Sequence, residues 1–411
     1  MPAIVLNEPV DEGDKGFPAV AGVTVGTVGG QGWRALDGDF SMPLLVLRDS
    51  AVEHNLATMA DYCRRTGVDL APHGKTHMSP QLWARQRAAG AWAVTVATVS
   101  QARLFIRHGA TRIVLANEVG DAHDARWLRR AVDDGVEAYA LVDSAAGLEL
   151  LGEAFAGSGR RLGILVELGY PGGRAGTRSA EDALRIARRV AATPGLRLAG
   201  VEGFEGVMPG AELAEQRERI AEYLDVAATV LETMLAESLI ARGPAIASFG
   251  GSSHFHLVAA RFAGHAGVRV LLRSGCYLAH DHGLYARSTP LDGRAGRPAL
   301  LPALELWARV LSRPEPTLAI VGFGRRDAPY DSGLPTLLGV RRRGSIRAAG
   351  GVVRGLNDQH AYLDVPADSD LAVGDLLCFG VSHPCTAFDR WRLIPVVSDD
   401  YRVVDAVRTY F

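Results

Sequence analysis

Cysteine is scarce in this chain of 411 residues. Its four cysteines are scattered and form no Cys-x-x-Cys pair: Cys63, Cys276, Cys378 and Cys385. So few cysteines in so long a chain do not build the disulfide framework that stabilises small secreted proteins. We therefore expect free thiols in a reducing cytosol.

The chain also lacks an excess of charge of either sign. Lys+Arg number 44 and Asp+Glu number 46, so the formal net charge is -2. A nearly neutral chain is not drawn as a whole to nucleic acid or to an anionic membrane. We predict a small-molecule partner, with neither nucleic acid nor membrane as a ligand.

Long hydrophobic runs are missing as well. No uninterrupted apolar stretch approaches the about 18 residues that a membrane-spanning helix needs. The N-terminal segment is acidic where a signal peptide would be basic, with Glu8, Asp11, Glu12 and Asp14. These absences predict a cytoplasmic protein.

What the sequence does contain is a regular alternation of short β-branched runs with amphipathic, helix-like stretches. Eight such runs occur, at 70–74, 93–97, 112–116, 137–142, 162–167, 198–204, 245–249 and 269–273. Parallel strands joined by crossover helices give this pattern. Eight strand-helix units favour a (β/α)8 barrel of the TIM type over an open doubly wound sheet, which is the alternative.

After residue 290 the pattern changes to short strand-like runs broken by glycine and proline, without a long helical period. Three of these runs lie at 318–322, 361–365 and 376–379. We therefore predict an α/β protein with an irregular N-terminal arm at 1–39, a barrel at 40–290 and a β-rich C-terminal domain at 291–411.

Lys75 stands at the end of the first run, in Pro72-His73-Gly74-Lys75-Thr76-His77. Active sites of such barrels lie at the C-terminal ends of the strands, so this position displays a side chain for chemistry. A lysine that loses its proton is a nucleophile and forms a Schiff base with an aldehyde such as pyridoxal phosphate. Lys75 is the predicted catalytic and cofactor-binding lysine.

The seventh and eighth runs end in turns that suit a phosphate group. The first turn contains Gly250, Gly251 and Ser252, and the second contains Gly275, Cys276 and Tyr277. Phosphate binds commonly after strands 7 and 8 of such barrels, where glycines let backbone N–H groups approach the anion. A phosphate cradle opposite a reactive lysine matches the two ends of pyridoxal phosphate. Arg174, in a glycine-rich loop, is a candidate partner for the phenolate oxygen of its ring.

A second candidate site is His383-Pro384-Cys385 near the C-terminus. Residues i and i+2 of an extended segment point to the same side, so the imidazole and the thiol can converge on one ion. Nitrogen and thiolate ligands together favour Zn²⁺ over magnesium or calcium. His280-Asp281-His282 is the competing metal candidate, but it lacks a soft ligand.

These motifs, with Asn357-Asp358-Gln359-His360, resemble the D-serine dehydratase and D-threonine aldolase family over residues 42–400. The resemblance implies fold-type III pyridoxal phosphate enzymes with an alanine-racemase-like barrel and a C-terminal β domain, acting as homodimers. It implies that Lys75 carries the cofactor, that the two turns with Tyr277 hold phosphate, and that His383 and Cys385 bind the metal. The Phe388-Asp389-Arg390-Trp391 continuation is most similar to bacterial members labelled amino acid deaminase.

The family contains dehydratases with a His and Cys zinc site and aldolases with a His and Asp site for a harder ion, so Cys385 favours dehydration. We therefore expect elimination from a β-hydroxy D-amino acid such as D-serine or D-threonine, giving a 2-oxo acid and ammonia. The alternatives are a D-threonine aldolase that gives glycine and an aldehyde, and a pyridoxal phosphate binding protein without catalytic work.

Overall fold

The computed structural model describes residues 3–210, 212–240, 243–296 and 298–411. They form two compact units, each built from several segments of the chain. The barrel unit comprises Ala60–Lys75 and Gln86–Gly275, and the sheet unit comprises Met1–Met59, Thr76–Arg85 and Cys276–Phe411.

The strands of the described residues fall into two sheets. In chain order they are Leu44–Arg48 (β1), Asp69–Leu70 (β2), Val94–Val96 (β3), Arg112–Glu118 (β4), Glu137–Val142 (β5), Leu162–Leu168 (β6), Leu196–Gly203 (β7), Ala245–Phe249 (β8), Val268–Leu272 (β9), Leu304–Glu315 (β10), Leu318–Val321 (β11), Thr336–Arg342 (β12), Ser345–Arg347 (β13), Val352–Leu356 (β14), Ala361–Asp364 (β15), Leu376–Gly380 (β16), Leu393–Val397 (β17) and Val403–Arg408 (β18).

The α-helices alternate with the strands through the first three quarters of the chain. They are Ala3–Leu6 (α1), Asp49–Thr66 (α2), Pro80–Ala88 (α3), Val99–Arg107 (α4), Ala122–Asp133 (α5), Ala145–Phe155 (α6), Ala180–Ala192 (α7), Leu213–Ala236 (α8), Phe255–Phe262 (α9), Leu284–Ser288 (α10) and Cys385–Phe388 (α11). Short 3-10 helices lie at Val25–Gly30, Gly74–Thr76, Cys276–Leu278 and Arg294–Gly296. Within the described ranges, every helix is too short or too polar to cross a membrane.

The barrel unit is an eight-stranded parallel sheet in the order β2-β9-β8-β7-β6-β5-β4-β3. Its two end strands meet, because the N–H of Trp92 donates to Leu70 O (2.7 Å) and the N–H of Thr95 donates to Pro72 O (3.0 Å). A parallel bridge between His73 and Thr95 completes the closure. The predicted (β/α)8 barrel is therefore confirmed, and each of its strands overlaps one of the eight predicted runs.

Local sequence explains why these elements form. The barrel strands are buried on both faces, which accounts for their continuous apolar runs rather than strict alternation. Four of the barrel helices begin at a short polar residue whose side chain accepts a hydrogen bond from the first turn: Thr98, Asp121, Ser144 and Ser179. Such caps satisfy backbone N–H groups that a helix start would leave unpaired.

The sheet unit contains a ten-stranded sheet with β13-β12-β16-β10-β1-β17-β18 as its main path. Strand β11 pairs with β10 and β15, and β14 pairs with β15. The predicted β-rich C-terminal domain is therefore confirmed, and the runs at 318–322, 361–365 and 376–379 correspond to β11, β15 and β16.

The N-terminal segment belongs to the sheet unit, which differs from the predicted boundaries at residues 39 and 40. Strand β1 pairs with β10 and β17, and Val5, Val10 and Phe17 pack in the hydrophobic core of this sheet. The Arg408 guanidinium forms a buried ion pair with Asp14. The arm is irregular, as expected, but apolar burial and this ion pair hold it against the sheet.

Candidate active site and metal centre

Lys75 lies at the C-terminal end of β2, in the 3-10 helix Gly74–Thr76. A β-carbon on Gly74 would stand 2.4 Å from Cε2 of Phe105, so only glycine fits before the lysine. Lys75 itself is exposed. Close packing thus holds the backbone here, while the amine remains accessible at the functional end of the barrel.

Positive charge gathers near Lys75. Burial lowers the pKa of His73 well below its ordinary value, and the charges of Lys75, Arg273 and Arg174 lower it further. His73 is therefore neutral, and its Nδ1 is buried without a hydrogen-bond partner among the described residues. The barrel thus brings Arg174 to the same electrostatic neighbourhood as Lys75, where the ion pair with Glu202 neutralises Arg273. The guanidinium of Arg174 lies 5.4 Å over the Phe204 ring.

The glycine turn predicted to hold phosphate follows β8 and contacts a carboxylate of the protein. The N–H groups of Gly250 and Gly251 donate to the Glu205 carboxylate, at 3.1 and 2.9 Å. Gly250 has φ +82°, and a β-carbon on Gly251 would lie 2.6 Å from the Phe204 ring. These glycines are therefore required by backbone conformation and packing, and their amides bind the Glu205 carboxylate in the structure. Their assignment to the cofactor phosphate stays a prediction.

The remaining predicted cofactor residues divide between the two units. Ser252 and Gly275 lie in the barrel unit, where the hydroxyl of Ser274 donates to Gly251 O at 2.8 Å and joins the two turns. Cys276 and the buried Tyr277 begin the sheet unit, in the 3-10 helix Cys276–Leu278. Their assignment to the cofactor stays a prediction.

A group of buried carboxylates inside the barrel was not foreseen as a unit. Glu202 forms an ion pair with Arg273 at 2.5 Å, and both side chains are 3 % exposed. Burial raises the pKa of Glu167 to about 10, helped by a hydrogen bond with Glu118 and by the charge of Glu202. Glutamates near the C-terminal ends of β4, β6 and β7 were the available signal, since the ends of parallel barrel strands meet at one face.

Glu167→Gln should change how stability depends on pH. From about pH 5 to about pH 10 the folded chain keeps a proton on Glu167 that the unfolded chain has released, so the free energy of unfolding falls as pH rises. One such proton is worth at most about 1.4 kcal/mol per pH unit. Melting temperatures at pH 6 and pH 9 should therefore diverge less in Glu167→Gln than in the parent. Glu218 is exposed, so Glu218→Gln is the control. If the melting temperature of Glu167→Gln depends on pH as strongly as that of the parent, the raised pKa of Glu167 is contradicted.

Cys276, His383 and Cys385 form a candidate metal centre within the sheet unit. Their ligand atoms lie within 4.8 Å of one another, and this is the one such group of three in the described part of the chain. The Sγ atoms of Cys276 and Cys385 are 3.6 Å apart. Cys276 lowers the pKa of Cys385, as does His383, whose own pKa is raised to about 9 by Cys385 and Asp331.

Three further residues support this centre, and the sequence had not singled out any of them as part of a metal site. The Nδ1 atom of His383 lies 2.6 Å from Asp331 Oδ2, and the other oxygen of Asp331 accepts from the Thr386 hydroxyl at 2.6 Å. The Thr76 hydroxyl lies 3.6 Å from Cys385 Sγ. Asp331 stands 52 residues before His383, and no local pattern could have indicated it.

The prediction that His383 and Cys385 lie in an extended segment is wrong, although their side chains do converge. Pro384 between them has φ -69° and ψ -36°, so the segment is not extended, and Cys385 begins α11.

The competing metal candidate, His280-Asp281-His282, has a structural role. The Asp281 carboxylate accepts from the N–H groups of Gly283, Tyr285 and Ala286, and His280 Nδ1 lies 2.7 Å from the Asp281 carbonyl.

A closed parallel barrel with a lysine after its first strand, joined to a β-rich unit, is the alanine-racemase-like architecture. Family models agree: residues 48–262 match the N-terminal domain of alanine racemase, and residues 303–397 match the serine dehydratase domain. The chain belongs to the D-serine dehydratase and D-threonine aldolase family of fold-type III pyridoxal phosphate enzymes, which confirms the resemblance seen in its motifs.

Several relatives have described activities. The 3-hydroxy-D-aspartate aldolase of Paracoccus denitrificans is 30% identical over 306 residues, 74% of this chain and 77% of that one. The D-threonine aldolase of an Arthrobacter species is 28% identical over 87% of this chain and 89% of its own. D-threo-3-hydroxyaspartate dehydratase of Delftia is 30% identical over 58% of this chain and 61% of its own. The crystal structure of D-threonine aldolase from Filomicrobium marinum superposes with a TM-score of 0.78 at 28% identity, covering 90% and 95% of the two chains.

Proposed function

We propose that this chain is a pyridoxal phosphate- and zinc-dependent lyase that dehydrates β-hydroxy D-amino acids to 2-oxo acids and ammonia. Its relatives are named as aldolases and a dehydratase of such substrates, which supports the substrate class. The observation that carries the choice of dehydration is the thiol-rich centre at Cys276, His383 and Cys385. By family resemblance, the enzyme would act as a homodimer, and its scattered free cysteines favour the reducing cytoplasm as its compartment.

The residues present fit both groups. Lys75 is an exposed amine at the C-terminal end of β2, beside a buried nitrogen of His73 that lacks a partner among the described residues. Two thiols and an imidazole within 4.8 Å of one another suit a thiophilic divalent ion. Because Gly250 and Gly251 bind Glu205, the cofactor phosphate would rely on other donors, and Ser252 and Tyr277 are those we propose.

Lys75 would do two tasks. Its amine would hold the cofactor aldehyde and, once free, would take the proton from Cα of the substrate. One base on one face of the substrate accounts for selection of the D enantiomer. When bound, pyridoxal phosphate withdraws electrons from Cα, and the metal ion offsets the negative charge on the departing hydroxyl. D-serine would give pyruvate and ammonia, and D-threonine would give 2-oxobutanoate and ammonia.

Aldol cleavage is the second candidate, because three relatives that align over 74% or more of this chain are named as aldolases. The same substrates would then break between Cα and Cβ, and a base would remove the hydroxyl proton. The thiol-rich centre favours dehydration, since a zinc ion with sulfur ligands acts as a Lewis acid on the oxygen.

Product analysis decides between these reactions. The enzyme loaded with pyridoxal phosphate and Zn²⁺ should convert D-serine, D-threonine or D-threo-3-hydroxyaspartate to equal amounts of 2-oxo acid and ammonia. The L enantiomers are the controls and should be inert. Glycine with an aldehyde would establish the aldolase instead, and binding of the cofactor without any product would indicate a non-catalytic protein.

A further inference from the structure

We infer that Cys276 is a third protein ligand of the metal, so that the ion would be held by two sulfurs and one nitrogen. The sequence motif placed Cys276 with the cofactor turn and left two ligands for the metal. In the structure its Sγ lies 3.6 Å from Cys385 Sγ, and its carbonyl is fixed by the N–H of His280 at 2.8 Å. This inference concerns the same metal centre as the proposed dehydration.

The distances agree with a shared ion. A tetrahedral zinc with sulfurs at about 2.3 Å places two sulfurs about 3.8 Å apart. The observed distance of 3.6 Å between the Cys276 and Cys385 sulfurs is close to that value. The third ligand atom, from His383, lies within 4.8 Å of both. Little rearrangement would be needed for the three side chains to close on one ion.

A neighbouring carboxylate orients His383 for metal binding. Asp331 holds Nδ1 of His383 at 2.6 Å, which leaves Nε2 as the nitrogen that can bind a metal. Thr386 in turn holds Asp331 at 2.6 Å. A metal-bound histidine is usually oriented in this way by a carboxylate on its other nitrogen. The Asp331 contact therefore supports ligation through His383 rather than a surface ion pair.

Three protein ligands have consequences for the metal. Catalytic zinc sites commonly use three protein ligands and keep the fourth position open. Two thiolates neutralise a divalent cation and select zinc over hard ions such as Mg²⁺ or Mn²⁺. Cys276 therefore both completes the centre and sets which ion it takes, and it leaves one position for an oxygen ligand.

Metal binding tests this without relying on turnover. In reducing buffer, Co²⁺-loaded protein should show thiolate-to-cobalt absorbance, and Cys276→Ser should lose about half of it, because one of two sulfurs is removed. Its Zn²⁺ affinity, from competition with a chelator, should fall by at least about tenfold. Cys63→Ser, in the barrel unit, should keep both values.

X-ray absorption of the Zn²⁺-loaded parent protein gives an answer even where a variant fails to fold. Two sulfur neighbours at about 2.3 Å support the inference, and one sulfur overturns it. Full cobalt absorbance in a folded Cys276→Ser protein would also overturn it. These readouts are separate from the reaction: glycine as the product would refute dehydration while leaving Cys276 as a ligand, and a one-sulfur site could still catalyse dehydration.

Discussion

Lys75→Arg is expected to abolish covalent attachment of pyridoxal phosphate and to lower turnover of D-serine by at least about 10²–10⁴-fold, the range for loss of one acid-base group. Arginine keeps the positive charge of Lys75 but never loses its proton, so it can neither form an imine nor take a proton from Cα. Borohydride reduction makes the imine permanent. The parent protein should then carry one cofactor on Lys75, detected by peptide mapping and by the absorbance of the reduced adduct.

The chain offers a matched control, because Lys15 and Lys75 are its only lysines. Lys15 pairs with Asp327 at 3.1 Å and lies 4.1 Å over the Trp391 ring, so arginine can take its place. Lys15→Arg should keep the reducible adduct and the turnover. An adduct that survives in Lys75→Arg and disappears in Lys15→Arg would overturn the assignment.

The scarcity of lysine is itself a signal for Lys75. Of the 44 basic residues, the other 42 are arginines. Arginine forms ion pairs at least as well as lysine does, but only lysine supplies an amine that can become neutral and nucleophilic. Only two side chains of the sequence can supply such an amine, and of these Lys75 is the one that follows a barrel strand.

The barrel could be predicted from sequence because its signals are local. Each strand is a short apolar run, and caps such as Ser144 and Ser179 mark where the next helix begins. The position of β1 could not be predicted, since its partners β10 and β17 lie more than 250 residues away. A strand's sequence carries little information about which distant strand it joins, so the sequence alone could not assign β1 to the C-terminal sheet.

The candidate site shows the same division. Lys75 could be found because strand ends define the functional face of a barrel. The partner of the Gly250 and Gly251 amides could not be found in this way, because a glycine turn offers N–H donors to any nearby anion. In the structure these amides donate to the Glu205 carboxylate. The approach of Cys276 to Cys385, 109 residues apart, likewise depends on tertiary structure alone.

Removal of the metal is expected to suppress 2-oxo acid formation by about 10²–10³-fold. A Lewis acid on the leaving oxygen contributes several kcal/mol, and each 1.4 kcal/mol corresponds to about tenfold in rate. Dialysis against a chelator should produce this loss, Zn²⁺ should restore the rate, and Mg²⁺ should not, because thiolate ligands bind hard ions poorly. A double variant that carries both Cys276→Ser and Cys385→Ser should behave like the metal-depleted protein, with the release of 2-oxo acid as the measurement and Cys63→Ser as the matched thiol control.

Proton exchange distinguishes a metal that expels hydroxide from one that merely supports the fold. Removal of the Cα proton depends on Lys75 and the cofactor, so metal-depleted protein in D₂O should still incorporate deuterium at Cα of D-serine while 2-oxo acid formation is lost. If both reactions disappear together, the metal supports binding or folding, and the role in expelling the oxygen is wrong. If protein shown to be free of metal forms 2-oxo acid at the full rate, the metal has no role in the reaction. If deuterium exchange at Cα persists while 2-oxo acid formation is lost, the metal centre of Cys276, His383 and Cys385 acts after Lys75 has removed the Cα proton, when the β-hydroxyl leaves.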